Sequence, residues 1–181
     1  PIRTEEGRGT MIEKVKKIYI SLVCFVLFFF AHSAYAIEPE GPTEYRGIDV
    51  SNYQGNIDFE EVDNAGIEAV YIKSSQGSST VDPYFEEHYE TASAAGLRIG
   101  FYHFVTARTV SQAQYEANFF VSTISGKEFE GKLAMDFESL TGLSTEEVNN
   151  ISLAFIEEVE RLSGKEVVIY SDAYNAINVF G

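Results

Sequence analysis

Cysteine is nearly absent from these 181 residues: Cys24 stands alone, so no disulfide can form within the chain. A chain without disulfides is held by its core, which fits a sizeable domain better than a small stapled one. Paired metal ligands are lacking too, because His88 and His103 stand apart and no His or Cys pair has ligand spacing. No P-loop and no G-x-G-x-x-G motif occurs, so neither a metal nor a cofactor is expected. Basic residues are scarce, with 13 Lys and Arg against 28 Asp and Glu. Five of the basic residues and three of the acidic ones precede Ile37, which leaves eight against 25, a net −17. That balance argues against nucleic acid and against an anionic membrane surface as partners.

Residues 1–10 read as sequence upstream of a true start at Met11. Residues 11–36 then have the pattern of a secretory signal peptide. Lys14, Lys16 and Lys17 supply a basic start, residues 18–30 an apolar run, and Ala34-Tyr35-Ala36 a small-x-small cleavage site. The run is short for a membrane span, which needs about 20 residues. The expected product is secreted, extracellular or in the cell wall, with no membrane attachment after cleavage. Residues 37–44 read as a linker and residues 45–181 as one domain, taken as a monomer.

Within that domain short apolar strands alternate with helical patterns. Strands are expected at 45–50, 69–73, 98–104, 132–139 and 166–170. Helices are expected after Asp58, from Asp82-Pro83 through residue 95, and over 111–125, 145–162 and 173–180. Such alternation means βαβ units and a parallel sheet. Polar residues stand at the strand ends (Asp49, Lys73, His103, Glu138 and Ser171), where a β/α barrel builds its active site. An open doubly wound sheet would bury its acids under helices, a cost the barrel avoids. Five units do not close eight strands, so the chain is expected to be cut short.

The stretch 132–139 carries the chemistry. Leu133, Met135 and Phe137 alternate with Ala134, Asp136 and Glu138, so the two acids share a face with Cα atoms roughly 6.5–7 Å apart. Two carboxylates that close cannot both ionise cheaply, and one pKa should rise. Such a pair suits glycosidic cleavage, in which one carboxyl donates a proton while another stays charged. Lys73 is expected to pair with Asp49 or Asp136, lowering that acid and leaving Glu138 protonated. Tyr102 and His103 alternate, so only one faces the site; His103 reads as a structural, hydrogen-bonded histidine.

Together these residues resemble glycoside hydrolase family 25, the Chalaropsis-type lysozymes or N-acetylmuramidases. The matching pieces run in order: residues 47–55 (GIDVSNYQG), 57–59, 72–77 (IKSSQG), 82–85, 94–97, 100–104 (GFYHF), Gln112-Ala113, Asp136-Phe137-Glu138 and residues 169–171. The resemblance implies a TIM-like α/β barrel of the (β/α)5(β)3 type, of which residues 45–181 hold the first five βα units. It implies cleavage of the β-1,4 bond between N-acetylmuramic acid and N-acetylglucosamine along peptidoglycan glycan strands. Glu138 would be the general acid, Asp136 would orient or stabilise the substrate, and Asp49 would be a further carboxylate. The residue after Ile57-Asp58, commonly tryptophan in the family, is Phe59 here, and the chain has no tryptophan. Stacking on sugar faces would rest on Tyr53, Tyr102 and Tyr170, with Lys73 also lining the cleft. The rival reading is a truncated, non-catalytic cell-wall carbohydrate-binding remnant. A family 18 glycosidase fits less well, since Gly131 and Ala134 stand where its signature wants acids.

Overall fold

The first secondary structure after the expected linker is a parallel strand pair, and each later βα unit adds one strand beside the last. A computed structural model describes residues 43–180. The expected leader, the expected cleavage site and most of the expected linker lie outside the described residues. From Glu44 onward the chain forms one compact unit. Strands β1 (Gly47–Val50), β2 (Ala69–Gln76), β4 (Arg98–Phe104), β5 (Leu133–Asp136) and β6 (Val167–Tyr170) lie in that order and pair in parallel. A two-residue strand β3 (Thr80–Val81) turns back antiparallel on β2, in the stretch between the expected strand at 69–73 and the helix expected from Asp82. Helices α1 (Phe59–Asn64), α2 (Phe85–Ala94), α3 (Val110–Thr123), α4 (Thr145–Ser163) and α5 (Ala173–Asn178) fall in the expected intervals.

Each helix starts where its sequence provides a cap. Asp58 accepts from the amides of Glu60 and Glu61, and Thr109 from that of Gln112. Ser144 and Glu147 form a reciprocal capping box at α4, whose far end is closed by Gly164 in the left-handed region at φ 67°. The exception is α2. Asp82 does not cap it: its carboxylate accepts from the amides of Asn52 and Tyr84, tying α2's entry to the loop after β1.

Helices α2, α3 and α4 cover one face of the sheet. Phe101 meets Phe85 of α2 edge to face at 5.4 Å, and His103 lies over Phe120 of α3 and Phe155 of α4 at 5.4 and 5.5 Å. Val70, Ile72, Leu133, Met135 and Phe137 complete this core, all fully buried. The strand alternation therefore sends their neighbours (Tyr71, Lys73, Tyr102, Ala134 and Asp136) to the other face, which lines a cavity. Tyr71 packs over Gly100, its register partner, so closely that a Cβ on Gly100 would lie 2.5 Å from the ring. No helix among the described residues is long and apolar enough to cross a membrane.

Candidate active site

A cavity of about 360 Å³ opens at the carboxyl ends of the parallel strands. It is lined by the acids Asp49, Asp136 and Glu138, by Lys73, and by Tyr53, Tyr102 and Tyr170. The seven residues expected to form the site thus meet in one place, contributed by β1, β2, β4, β5, β6 and two loops, whereas Ser171, also noted at a strand end, does not line it. The pairing register explains the convergence. Phe104, Asp136 and Tyr170 form one cross-sheet row, and Lys73, Tyr102 and Ala134 form the row beneath it.

Asp136 is the last residue of β5 and only 7% exposed. Glu138 lies beyond the strand, on the exposed loop, rather than inside a strand reaching residue 139. Burial, then the nearby Glu138 charge, push the Asp136 carboxyl up to about 7, opposed by Lys73, with Asp49 adding a smaller upward push. The expected lowering by Lys73 is therefore present but outweighed, and Asp136 is raised rather than lowered. Lys73 Nζ donates instead to Gln76 Oε1 at 3.0 Å and lies 5.1 Å from the centre of the Phe104 ring. Asp136 Oδ1 is buried and has no hydrogen-bond partner. An acceptor held in that state is costly to the fold and available to a donor from a ligand.

The tyrosines differ in setting. Tyr53 is 87% exposed on the loop after β1, a ring ready to meet a flat apolar face. Burial, then Asp49, raises the Tyr102 phenol well above its ordinary value, opposed by a hydrogen bond with Ser51. The charge of Asp49 is the main cause raising Tyr170, with burial, Glu138 and Asp136 adding to it. Both phenols remain protonated donors throughout the physiological range.

The sequence reading did not single out Ser51, Gln54, Tyr71, Gln76 or Phe104, which also line the cavity. Tyr71 and Phe104 lie two residues from Lys73 and Tyr102, so strand periodicity could have found them. Gln76 lies three residues after Lys73 and escapes that rule, because a bulge between Lys73 and Ser75 shifts the register. His103 is fully buried on the opposite face, in hydrogen-bond contact with Ser75 and Glu116, in keeping with a structural histidine. No group of three or more potential metal ligands occurs among the described residues.

The family model for glycosyl hydrolases family 25 matches residues 48–179. The autolytic lysozyme of Clostridium acetobutylicum is 35% identical over 126 residues, covering 70% of this chain and 38% of that protein. Lysozyme M1 of Streptomyces globisporus is 30% identical over 146 residues, covering 76% of this chain and 49% of that protein. A family 25 glycosyl hydrolase from Bacillus anthracis superposes with a TM-score of 0.67 at 26% identity, covering 76% of this chain and 64% of that one. The chain thus spans less than half the length of these two lysozymes, and it shares with the solved structure a mixed α/β fold built on a mostly parallel sheet.

Proposed function

Because the chain belongs to glycosyl hydrolases family 25, we propose that it is a secreted peptidoglycan hydrolase. It cleaves the β-1,4 bond between N-acetylmuramic acid and N-acetylglucosamine, acting as a monomer on glycan strands. The observation that carries the reading is the meeting of Asp49, Asp136 and Glu138 in one tyrosine-lined cavity, with Asp136 pushed up to about 7 beside Glu138. The sheet is part of a (β/α)5(β)3 barrel in this reading, and the cavity face is the barrel interior.

The chemistry needs one proton held ready at neutral pH and one charge to face the sugar cation. The Asp136–Glu138 pair holds that proton as a unit, resting on the buried member in the free site. On substrate binding the proton passes from Asp136 to Glu138, which on the exposed loop reaches the leaving glycosidic oxygen and gives the proton to it. A water then adds to the anomeric carbon and returns a proton to the pair. Asp136, with its unpartnered Oδ1, accepts the N–H of the substrate's N-acetyl group and so orients the sugar. Asp49 adds negative potential that favours the developing positive charge, and Tyr53 offers its ring to a sugar face.

The test is the release of reducing N-acetylmuramic acid ends from purified peptidoglycan by the complete protein and by Glu138→Gln. The variant should lose about 10²–10⁴-fold in rate, the usual contribution of a general acid. Undiminished release by the variant would remove Glu138 from its role. Retention on walls without new reducing ends from the unaltered protein would leave only a carbohydrate-binding chain.

A further inference from the structure

On the helix-covered side of the sheet lies a hydroxyl, an imidazole and a carboxylate in line. Ser75 Oγ is 2.8 Å from His103 Nδ1, and His103 Nε2 is 3.4 Å from Glu116 Oε2. The order is that of a hydrolytic triad, but Ser75 and His103 are fully buried and Glu116 is 4% exposed. No substrate can meet that hydroxyl, so another role is needed for an arrangement so costly to bury. Glu116 is well satisfied, accepting also from Thr106 N at 2.9 Å and Thr106 Oγ1 at 2.8 Å. Burial and the Lys73 charge keep His103 neutral against the pull of Glu116, so Nε2–H donates to the carboxylate and Nδ1 accepts from Ser75.

What the hydroxyl holds is the bulge. Lys73 pairs in register with Tyr102, but Ser75, not Ser74, pairs with His103, so Ser74 is the inserted residue. Ser74 is itself pinned, its hydroxyl donating to the Tyr102 carbonyl at 3.1 Å. In an unbroken strand Ser75 would join Lys73 on the cavity face and Gln76 would turn to the helices. The bulge reverses this: Ser75 turns inward, and Gln76 enters the row of Phe104, Asp136 and Tyr170. There its amide oxygen holds Lys73 Nζ.

We propose that the buried Ser75–His103–Glu116 chain is a positioning device that locks the β2 bulge and thereby seats Lys73 and Gln76 together beside Asp136. Ser75, His103 and Glu116 touch no substrate; they act through Lys73. The charged and titratable groups around Asp136 are Glu138 on the same segment, Asp49 from β1, Lys73 from β2, Tyr102 from β4 and Tyr170 from β6. Lys73 is the one cation among these, so its place reads out in the Asp136 titration. The inference rests on the proposed active site for its consequence only, because that titration needs neither substrate nor turnover.

The experiment follows the Asp136 carboxyl by carbon NMR across pH in the complete protein. Lys73→Met sets the scale, with a midpoint expected about one unit higher once the cation is gone. Ser75→Ala and His103→Phe, the latter keeping a ring between Phe120 and Phe155, should each move the midpoint upward by a substantial part of that amount. Ser75→Thr, which restores a hydroxyl, should return it toward the wild-type value. Adding Ser75→Ala to Lys73→Met should move it no further. An unchanged midpoint in folded Ser75→Ala overturns the proposal and leaves the triad as packing alone; a further shift in the double variant overturns the route through Lys73. Should His103→Phe not fold, Ser75→Ala decides. The expected shifts in a protein that, unaltered, releases no reducing ends from peptidoglycan would count against the active-site reading and leave the positioning of Lys73 standing.

Discussion

Two buried acids sit on opposite faces of the same sheet and are driven in opposite directions. Asp136, 7% exposed, is raised to about 7; Glu116, 4% exposed, is held below its ordinary value. Burial pushes both carboxyls up, and is the largest single cause in each. The partners decide the outcome. Glu116 is bonded by a backbone amide, a hydroxyl and an imidazole N–H, which together outweigh its desolvation. Asp136 has one oxygen without a partner and two like charges nearby, against a single opposing lysine. The helix side of the sheet satisfies its charge and so contributes to stability; the cavity side leaves one strained and so contributes reactivity.

Opposite pH slopes should separate the two. Asp136 takes up a proton on folding between its unfolded value of 3.8 and about 7. Its contribution to stability is therefore complete below pH 3.8 and is lost as pH rises through 7. Asp136→Asn, which cannot ionise, should gain roughly 4 kcal/mol on the wild type between pH 3 and pH 8, at ~1.4 kcal/mol per unit. Denaturant unfolding at the two pH values reads this directly, and parallel curves for both proteins would show that Asp136 is not raised. Glu116 has the other sign. Its contribution is present above the unfolded value of 4.5 and is lost as pH falls through the lower folded one. Glu116→Gln turns an amide NH2 toward donors and should cost about 2 kcal/mol at pH 7, with the penalty shrinking in acid. A pH-independent penalty would show that its charge contributes nothing.

Much of this contrast was legible in the residues. The alternation from Leu133 to Glu138 assigned each side chain to the face it occupies, and the adjacency of Tyr102 and His103 correctly put them on opposite sides. Strand and helix intervals were readable because apolar period and caps agree, as at Asp58 and at Ser144 with Glu147. That one carboxyl of the Asp136–Glu138 pair should rise was legible as well; which of the two was not. It depends on how deeply Asp136 sinks relative to Glu138, and the end of β5 at Asp136, two residues before Glu138, sets that. Nor was the bulge visible, because nothing in Lys73-Ser74-Ser75-Gln76 marks which serine is extra. The acid that fixes it, Glu116, lies on a helix 41 positions after Ser75. Its neighbours Ala113, Ala117 and Phe120 read as a plain apolar stripe.

The same contrast divides the two cavity acids, at smaller scale. Asp136 is carried by a strand hydrogen-bonded on both sides, its carbonyl accepting from Val105 N at 2.7 Å. Glu138 depends on the loop that follows, and that loop is held from outside by Arg108. The guanidinium donates to Ser139 Oγ at 3.2 Å and to the Thr141 carbonyl at 3.3 Å, both at the exposed surface. Exposed hydrogen bonds of this kind contribute about 0.5–1 kcal/mol, so Arg108→Ala should leave stability nearly unchanged. In the proposed role of Glu138 as general acid, a displacement by a fraction of an ångström nonetheless loses rate, and kcat should fall about two- to fivefold with KM little moved. Arg108→Lys, which cannot present two parallel donors, should recover only part of the loss. If kcat is untouched in Arg108→Ala, the packing of Leu140 and Leu143 against the core is enough to hold Glu138, and the loop is as firmly set as the strand.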